Sequence, residues 1–388
     1  VLNPFYWYAI IWGIVYFLYN LGWSGLNYPL HPKLSLFLII TILTSLALGF
    51  GLRKNFVYKG LEKKIVRNSS LTVFIVLASF LEFFYAKQIP LFSISLGLNS
   101  YGEFQGIPFL HSFIVNTVIF YSSYLYYLYL ETKQKKLLIE TILLISMLLL
   151  MFHKGTTIMC LFIVINLSIA KKRQQVTKYQ FEKILLIVIF AIFLIYFNGI
   201  LSNIRSGHAW NDNSLIMIVG DLKTNWPNFL PKEFAWTYIY ITSSLSNLNS
   251  TFVFYLSKFS LSRLVITIFP IFISKRIFPS MIVNPQTEFI LKNVVLNSVT
   301  GFAESTVTGG KYGIWFFFIF LIILLLLLTF YIKKFLYNIS TPFYAILSMQ
   351  VVFLFFYNTI STSATSFLIL YIFLFPLQNV YRISLRWR

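Results

Sequence analysis

Residues 202–233, SNIRSGHAWNDNSLIMIVGDLKTNWPNFLPKE, form the first long polar interruption after a series of apolar runs. What surrounds the stretch decides the fold. Of the 388 residues, 58% are hydrophobic, 20% aromatic and 11% charged, more apolar surface than a soluble domain of this length can hide. A helix needs about 20 residues, rising about 1.5 Å each, to cross a hydrocarbon core of about 30 Å, and runs of that length recur. The expectation is an all-α polytopic membrane protein forming one domain over residues 1–388. The single cysteine, Cys160, lies in an apolar run, so no internal disulfide is expected. The first run, 4–21, is followed by no small-residue cleavage site and reads as a retained span rather than a signal peptide.

Hydropathy places spans at 4–21, 34–52, 69–86, 111–130, 137–152, 155–170 and 184–200. Beyond the polar stretch it places them at 236–256, 262–275, 314–332, 341–358 and 364–381, about 12 transmembrane helices in all. The pair 236–275 is the weakest, because Pro270 interrupts it and Ser243, Asn247 and Ser250 form a polar stripe suited to face a cavity. It could also be a re-entrant hairpin. Lys and Arg separate by alternate loops: 53–67, 131–136, 171–183, 257–263, 333–334 and the C-terminal tail carry +18 against +4 on the other set. Positively charged loops stay in the cytoplasm, so both termini are expected there. The net charge of +20 is thus a topology signal, and nucleic acid need not be invoked. The opposite face carries two large loops, 201–235 and 276–313, rich in Gly, Pro, Asn, Ser and aromatics, and all four histidines lie at or near that boundary.

No cofactor or metal is expected. GGKYG at 309–313 lacks the spacing of a phosphate loop, and there is neither an HExxH motif nor a cysteine pair. Chemistry on the outer face then needs a substrate that arrives activated, such as a lipid-linked sugar diphosphate. Its departing diphosphate needs fixed cations, and arginine meets that need with a planar fork that stays charged. Arg205 and Arg276 are the catalytic candidates, backed by Lys232, Lys275 and Lys311 for substrate binding. Headgroup anchoring competes for Arg205, and interfacial snorkelling for Lys275 and Arg276. Gly207 allows close approach of backbone, and His208 beside it is the favoured base ahead of Glu103, Glu304, Asp212 and Asp221. Trp210, Trp226 and Trp236 suit stacking on sugar faces, and Ser243 and Asn247 suit hydrogen bonding to hydroxyls. Glu82, inside a span, should be paired, with Lys87 or an outer arginine as expected partner, while His111 and His153 read as interface residues.

The segments YGEFQGIPFLHSF (101–113), NIRSGHAW (203–210), TYIYITSSLSNLNS (237–250) and GGKYGIWFF (309–317) resemble the Wzy-type oligosaccharide repeat-unit polymerases of bacteria. The resemblance covers most of the chain and is one of layout. It implies a GT-C-like helical fold and a metal-independent, inverting glycosyltransferase at the outer face of the bacterial inner membrane. There it would join undecaprenyl diphosphate-linked repeat units into O-antigen or capsular polysaccharide, with Arg205 and Arg276 as diphosphate ligands. The implied partners are the lipid bilayer, the lipid-linked glycans, a chain-length regulator and a flippase. Rival readings are an O-antigen ligase of the same architecture, a flippase of the lipid-linked unit, and a membrane O-acyltransferase.

Overall fold

The computed structural model describes residues 1–61, 69–95, 104, 106–173, 180–254 and 259–385. It is 71% helical, with no strand among the described residues. The first eight helices are α1 (Pro4–Asn20), α2 (Pro32–Gly51), α3 (Ser69–Tyr85), α4 (Pro90–Ser95), α5 (Leu110–Thr132), α6 (Lys135–Leu150), α7 (Lys154–Arg173) and α8 (Gln180–Arg205). They are followed by α9 (Ser214–Val219), α10 (Phe234–Phe254), α11 (Leu261–Ile266), α12 (Ile271–Ile277), α13 (Pro285–Glu288), α14 (Ala303–Phe335), α15 (Ser340–Phe353) and α16 (Phe367–Leu385).

Local sequence explains the starts. Asn3 caps α1 by accepting from the amides of Phe5 and Tyr6, with Pro4 at the first helical position, and the His31 ring accepts from the Lys33 amide ahead of α2. Among the described residues, α2, α5, α7 and α14 are long and apolar enough to cross a membrane. One face of α2 leaves Leu36, Ile39, Leu43 and Phe50 exposed, and α14 leaves Ile319, Ile323, Leu327 and Phe330. Helical spacing makes each set a continuous apolar stripe, the kind of surface a bilayer covers.

The basic segments gather at one end. Glu131, closing α5, accepts from Lys171 Nζ at 2.7 Å and from the Leu61 amide at 3.0 Å, and it also holds the Tyr58 hydroxyl. The Lys59 amide reaches Thr341 Oγ1 at 2.8 Å, and Lys333 Nζ reaches Asn55 at 3.2 Å. The polar segments meet at the opposite end, along α10.

Alpha-10 is built from poor helix formers, and its hydrogen bonds to two loops explain why it is a helix at all. Asn247 donates to the carbonyls of Leu296 (2.7 Å) and Ser298 (2.9 Å) and accepts from the Lys292 amide (3.0 Å). Asn249 accepts from the His31 amide at 3.0 Å, Ser250 pairs with the Tyr28 hydroxyl at 2.6 Å, and the Tyr238 hydroxyl accepts from Trp23 and Asn27. The two loops, 23–31 and 290–298, are thus pinned along the helix.

Eleven of the twelve expected spans coincide with one helix each, and the twelfth does not. Residues 262–275 form two helices of six and seven residues, broken before Pro270, and neither is long enough to cross. Arg263 is also displaced from its expected place among the basic loops. The Ser260 amide bonds to the Thr308 carbonyl at 2.9 Å, which seats α11 on the start of α14. Arg263 there bonds both oxygens of Glu288 (2.9 and 2.7 Å) and the Met281 carbonyl (3.2 Å). It belongs to the polar end.

Candidate functional site

Alpha-8 delivers Arg205 to the polar end and stops there for a local reason. Gly207, at φ +79°, takes the left-handed position, the His208 amide bonds back to the Asn203 carbonyl at 3.1 Å, and the Gly207 amide bonds to Ile204 at 3.0 Å. This is a Schellman closure. A Cβ on Gly207 would meet nothing within 4 Å, so within the protein the residue serves the turn's φ angle. The Arg205 side chain lies outside the described part of the structure.

The closure puts His208 just past the helix end. Its Nδ1 lies 2.8 Å from Asp212 Oδ2, and the other Asp212 oxygen accepts from the Ser214 amide at 2.9 Å. The Ser214 hydroxyl and amide, and after them His208, hold the Asp212 carboxyl down to about 2. A carboxylate on one imidazole nitrogen fixes the ring and leaves the other nitrogen open, the arrangement a general base requires.

Beneath the turn lies an amide network. Asn203 donates to Asn213 Oδ1 (3.0 Å) and to the Trp210 carbonyl (3.1 Å) and accepts from the Trp236 indole. Asn213 in turn donates to Glu233 Oε1 at 3.0 Å, so this buried carboxylate is hydrogen-bonded. Gly199 of α8 makes the approach possible, because a Cβ there would sit 2.2 Å from the Glu233 carbonyl oxygen.

Of the three tryptophans expected to stack on sugars, Trp226 and Trp236 are buried. Trp226 packs with Trp23 and Tyr238 at centroid distances of 5.2 and 5.7 Å, whereas Trp210 is 55% exposed. Only Trp210 of the three presents a face to solvent, with Lys232 exposed on the same segment. Asn247 is committed to the main chain of 292–298, and Ser243 is buried with its hydroxyl unpartnered.

The second expected loop forms a different place. Lys275 and Arg276 are exposed at the end of α12, which is tied to the α15–α16 connection through the Ile271 amide and the Ser361 carbonyl at 2.7 Å. Beside α12 is a small cleft of about 20 Å³, mostly apolar, with Thr267, Ser274, Ser361 and Glu304 as its polar lining. Glu304 Oε2 accepts from Asn358 Nδ2 at 2.9 Å. Lys311 stands elsewhere again, 5.8 Å over the Phe252 ring. Among the described contacts, none joins Arg276, Lys275 or Lys311 to the turn that carries His208.

Comparison with family models, with curated proteins and with solved structures gives no match.

Among the alternative bases, Asp221 is exposed at φ +45° and Glu103 lies outside the described residues. No group of three or more metal-ligating side chains occurs among the described residues. Sequence reasoning missed the fate of Glu82. It pairs neither with Lys87 nor, among the described contacts, with an arginine. Its partner is His111, at 2.8 Å, and His111 touches His153. Pairing across 29 residues has no local signal. The available hint was that a carboxylate and two histidines all fell at one predicted boundary.

Proposed function

We propose that the chain is a metal-independent, inverting glycosyltransferase that polymerises lipid-diphosphate-linked repeat units on the outer face of the bacterial inner membrane. The observation that carries this reading is the gathering of 201–235 and 276–313 along α10, opposite the basic loops. At the first of these, Asp212 holds His208 just past Arg205. Placing the basic end in the cytoplasm puts the polar end outside. In this topology ten helices cross: α1, α2, α3, α5, α6, α7, α8, α14, α15 and α16. The segment from α9 to α13 lies over the outer face. Here α10, bonded along its length to the outer loops 23–31 and 290–298, is withdrawn from the expected twelve together with the Pro270 pair, and the even number that remains keeps both termini inside.

In the reaction, a sugar face stacks on Trp210, and His208 takes the proton from the acceptor hydroxyl as that oxygen attacks the anomeric carbon. The anomeric bond to the diphosphate breaks, and Arg205 bonds the departing oxygens through two N–H groups. Arg276, on the far side of the polar end, is left to anchor α12 near the headgroups.

The test incubates purified protein with lipid-linked repeat units and resolves the products by size. A ladder of longer glycans is expected from wild type, none from Arg205→Ala, and a strongly reduced one from Arg205→Lys, which keeps the charge but loses the fork. Full activity in Arg205→Ala would overturn the assignment. Transfer to a lipid A core alone would make the protein a ligase, and relocation of unextended units in liposomes alone would make it a flippase.

A further inference from the structure

Glu82, in the last turn of α3, has no exposed surface. Its Oε2 accepts from His111 Nδ1 at 2.8 Å, while its Oε1 is buried without a hydrogen-bond partner among the described residues. His111 opens α5, and its Nε2 faces His153 Nε2 at 2.9 Å. His153 sits in the turn between α6 and α7. The His111 side chain is 23% exposed and His153 is half-buried, whereas Glu82 is fully buried.

The surroundings are built for this contact. Gly106 closes over the pair, and a Cβ there would come within 2.7 Å of His111 Nδ1 and 3.0 Å of Glu82 Oε1. The Phe104 ring stands edge-on to His111 at 5.6 Å. Both histidines follow a phenylalanine held at positive φ, Phe109 at +71° and Phe152 at +61°. Bulky residues rarely take that conformation, so each turn spends backbone strain to present an imidazole.

Proton counting then restricts the chemistry. Only one hydrogen fits between the two Nε2 atoms, so one imidazole donates and the other accepts. With the Glu82 carboxylate ionised, two arrangements satisfy every contact. In the loaded form His111 carries hydrogen on both nitrogens, and His153 accepts at Nε2 and holds its hydrogen on Nδ1. In the unloaded form His111 keeps only Nδ1–H toward Glu82, His153 donates from Nε2, and its Nδ1 is a bare lone pair. They differ by one proton, gained or lost at His153 Nδ1.

We propose that Glu82, His111 and His153 form a second acid–base site, separate from His208, that takes up and releases one proton at His153 Nδ1, the nitrogen turned away from His111. Uptake places a hydrogen on His153 Nδ1, moves the His153 Nε2 hydrogen to His111, and leaves the new charge on His111 facing the Glu82 carboxylate. Release reverses each transfer. The carboxylate supports the bare nitrogen through one additional imidazole, an extension of the way a carboxylate supports a catalytic histidine. Among the described residues, the other charged groups at this end of the surrounding elements are Lys87, just past α3, and Lys154, whose ammonium lies 5.0 Å over the Phe152 ring. The inference does not depend on the transferase reading, since loading needs no sugar.

The chain has only four histidines, which makes imidazole nitrogen spectroscopy practical. The full-length protein, labelled with nitrogen-15 histidine and held in nanodiscs, would be titrated from pH 4.5 to 8 beside Glu82→Gln and His153→Gln. Two histidines should titrate as one coupled step and show strongly hydrogen-bonded imidazole protons that exchange slowly with water. Glu82→Gln should move that step down by more than one pH unit, and His153→Gln should abolish the coupling and leave a single-site curve. Unchanged His31 and His208 signals report that each variant is folded. Independent titration of His111 and His153, indifferent to Glu82→Gln, would overturn the proposal. So would one equivalent of zinc that co-purifies with wild type and is absent from His153→Gln, since the metal would then stand where the proton is placed.

Discussion

The molecule contains two carboxylate–imidazole pairs at the same separation. His208 and Asp212 meet at 2.8 Å within one exposed turn, and Glu82 and His111 meet at 2.8 Å across 29 residues, with the carboxylate fully buried. Equal distances conceal unequal energetics. Water screens the first pair, so the contact orients a ring and contributes little to folding. In the second the carboxylate has no exposed surface, so removal of its imidazole leaves a buried charge without its partner. His111→Ala, which leaves the fully buried Glu82 carboxylate without its donor, should therefore lower unfolding stability by about 3–5 kcal/mol, read by denaturant or thermal unfolding in detergent. A loss below about 1 kcal/mol would mean that the two pairs are energetically alike and that burial is not what separates them.

His153 sharpens the contrast through pH. Burial, and then the adjacent His111 charge, push its imidazole from the ordinary 6.5 down to about 4. Between those values the unfolded chain binds the proton that the folded chain refuses. Stability from this group is therefore full above about pH 6.5 and falls as the pH drops toward 4, by on the order of 3 kcal/mol. Melting temperatures at pH 7, 5.5 and 4.5 should show that slope in wild type and lose it in His153→Gln. A slope that survives the substitution would assign the window to His111 or to the exposed histidines.

The same contrast separates what the sequence could disclose from what it could not. Helices that present apolar residues to lipid announce themselves by run length, and the gathering of basic loops at one end follows from charge counting alone. Residues 262–275 were legible in part: hydropathy averages over the break at Pro270, but the same proline marks the pair as the weakest of the expected spans and keeps a re-entrant hairpin open. The turn at 205–212 was legible as chemistry, since Arg205, Gly207 and His208 are adjacent. Even the i,i+4 partner Asp212 stood in view as a rival base, not as an orienting group. Glu82, His111 and His153 each looked ordinary because what joins them is the packing of α3, α5 and the α6–α7 turn, which no local pattern encodes. Trp226 and Trp236 erred in the other direction. A tryptophan among polar residues reads as a sugar platform, yet Trp23, Tyr238 and Asn203 claim those two for the interior.

A smaller effect tests how the exposed pair is placed. Gly207 holds φ +79° with open space around it, so Gly207→Ala introduces no clash and only the strain of a left-handed alanine, about 1 kcal/mol. The stability loss should match that figure. Glycan transfer should fall further than the stability does, because a loosened closure alters the spacing of Arg205 and His208. Equal effects on both would show that the cap supports the fold alone.

Asp212→Ala should give the smallest change in stability and the most informative one in activity. The Asp212 oxygens are spent on the Ser214 amide and on His208, both at the surface, so water can take over each contact when the side chain is removed. The melting temperature should stay at the wild-type value. Transfer should nonetheless fall by roughly 10- to 100-fold in kcat with KM little changed, since an unsupported imidazole samples both ring orientations and both tautomers. Asp212→Asn, which keeps the shape and loses the charge, should recover less than half of that loss if the carboxylate selects the tautomer. Wild-type kcat in Asp212→Ala would show that the carboxylate does not support His208, and loss of transfer in His208→Gln would then decide whether the ring acts without it.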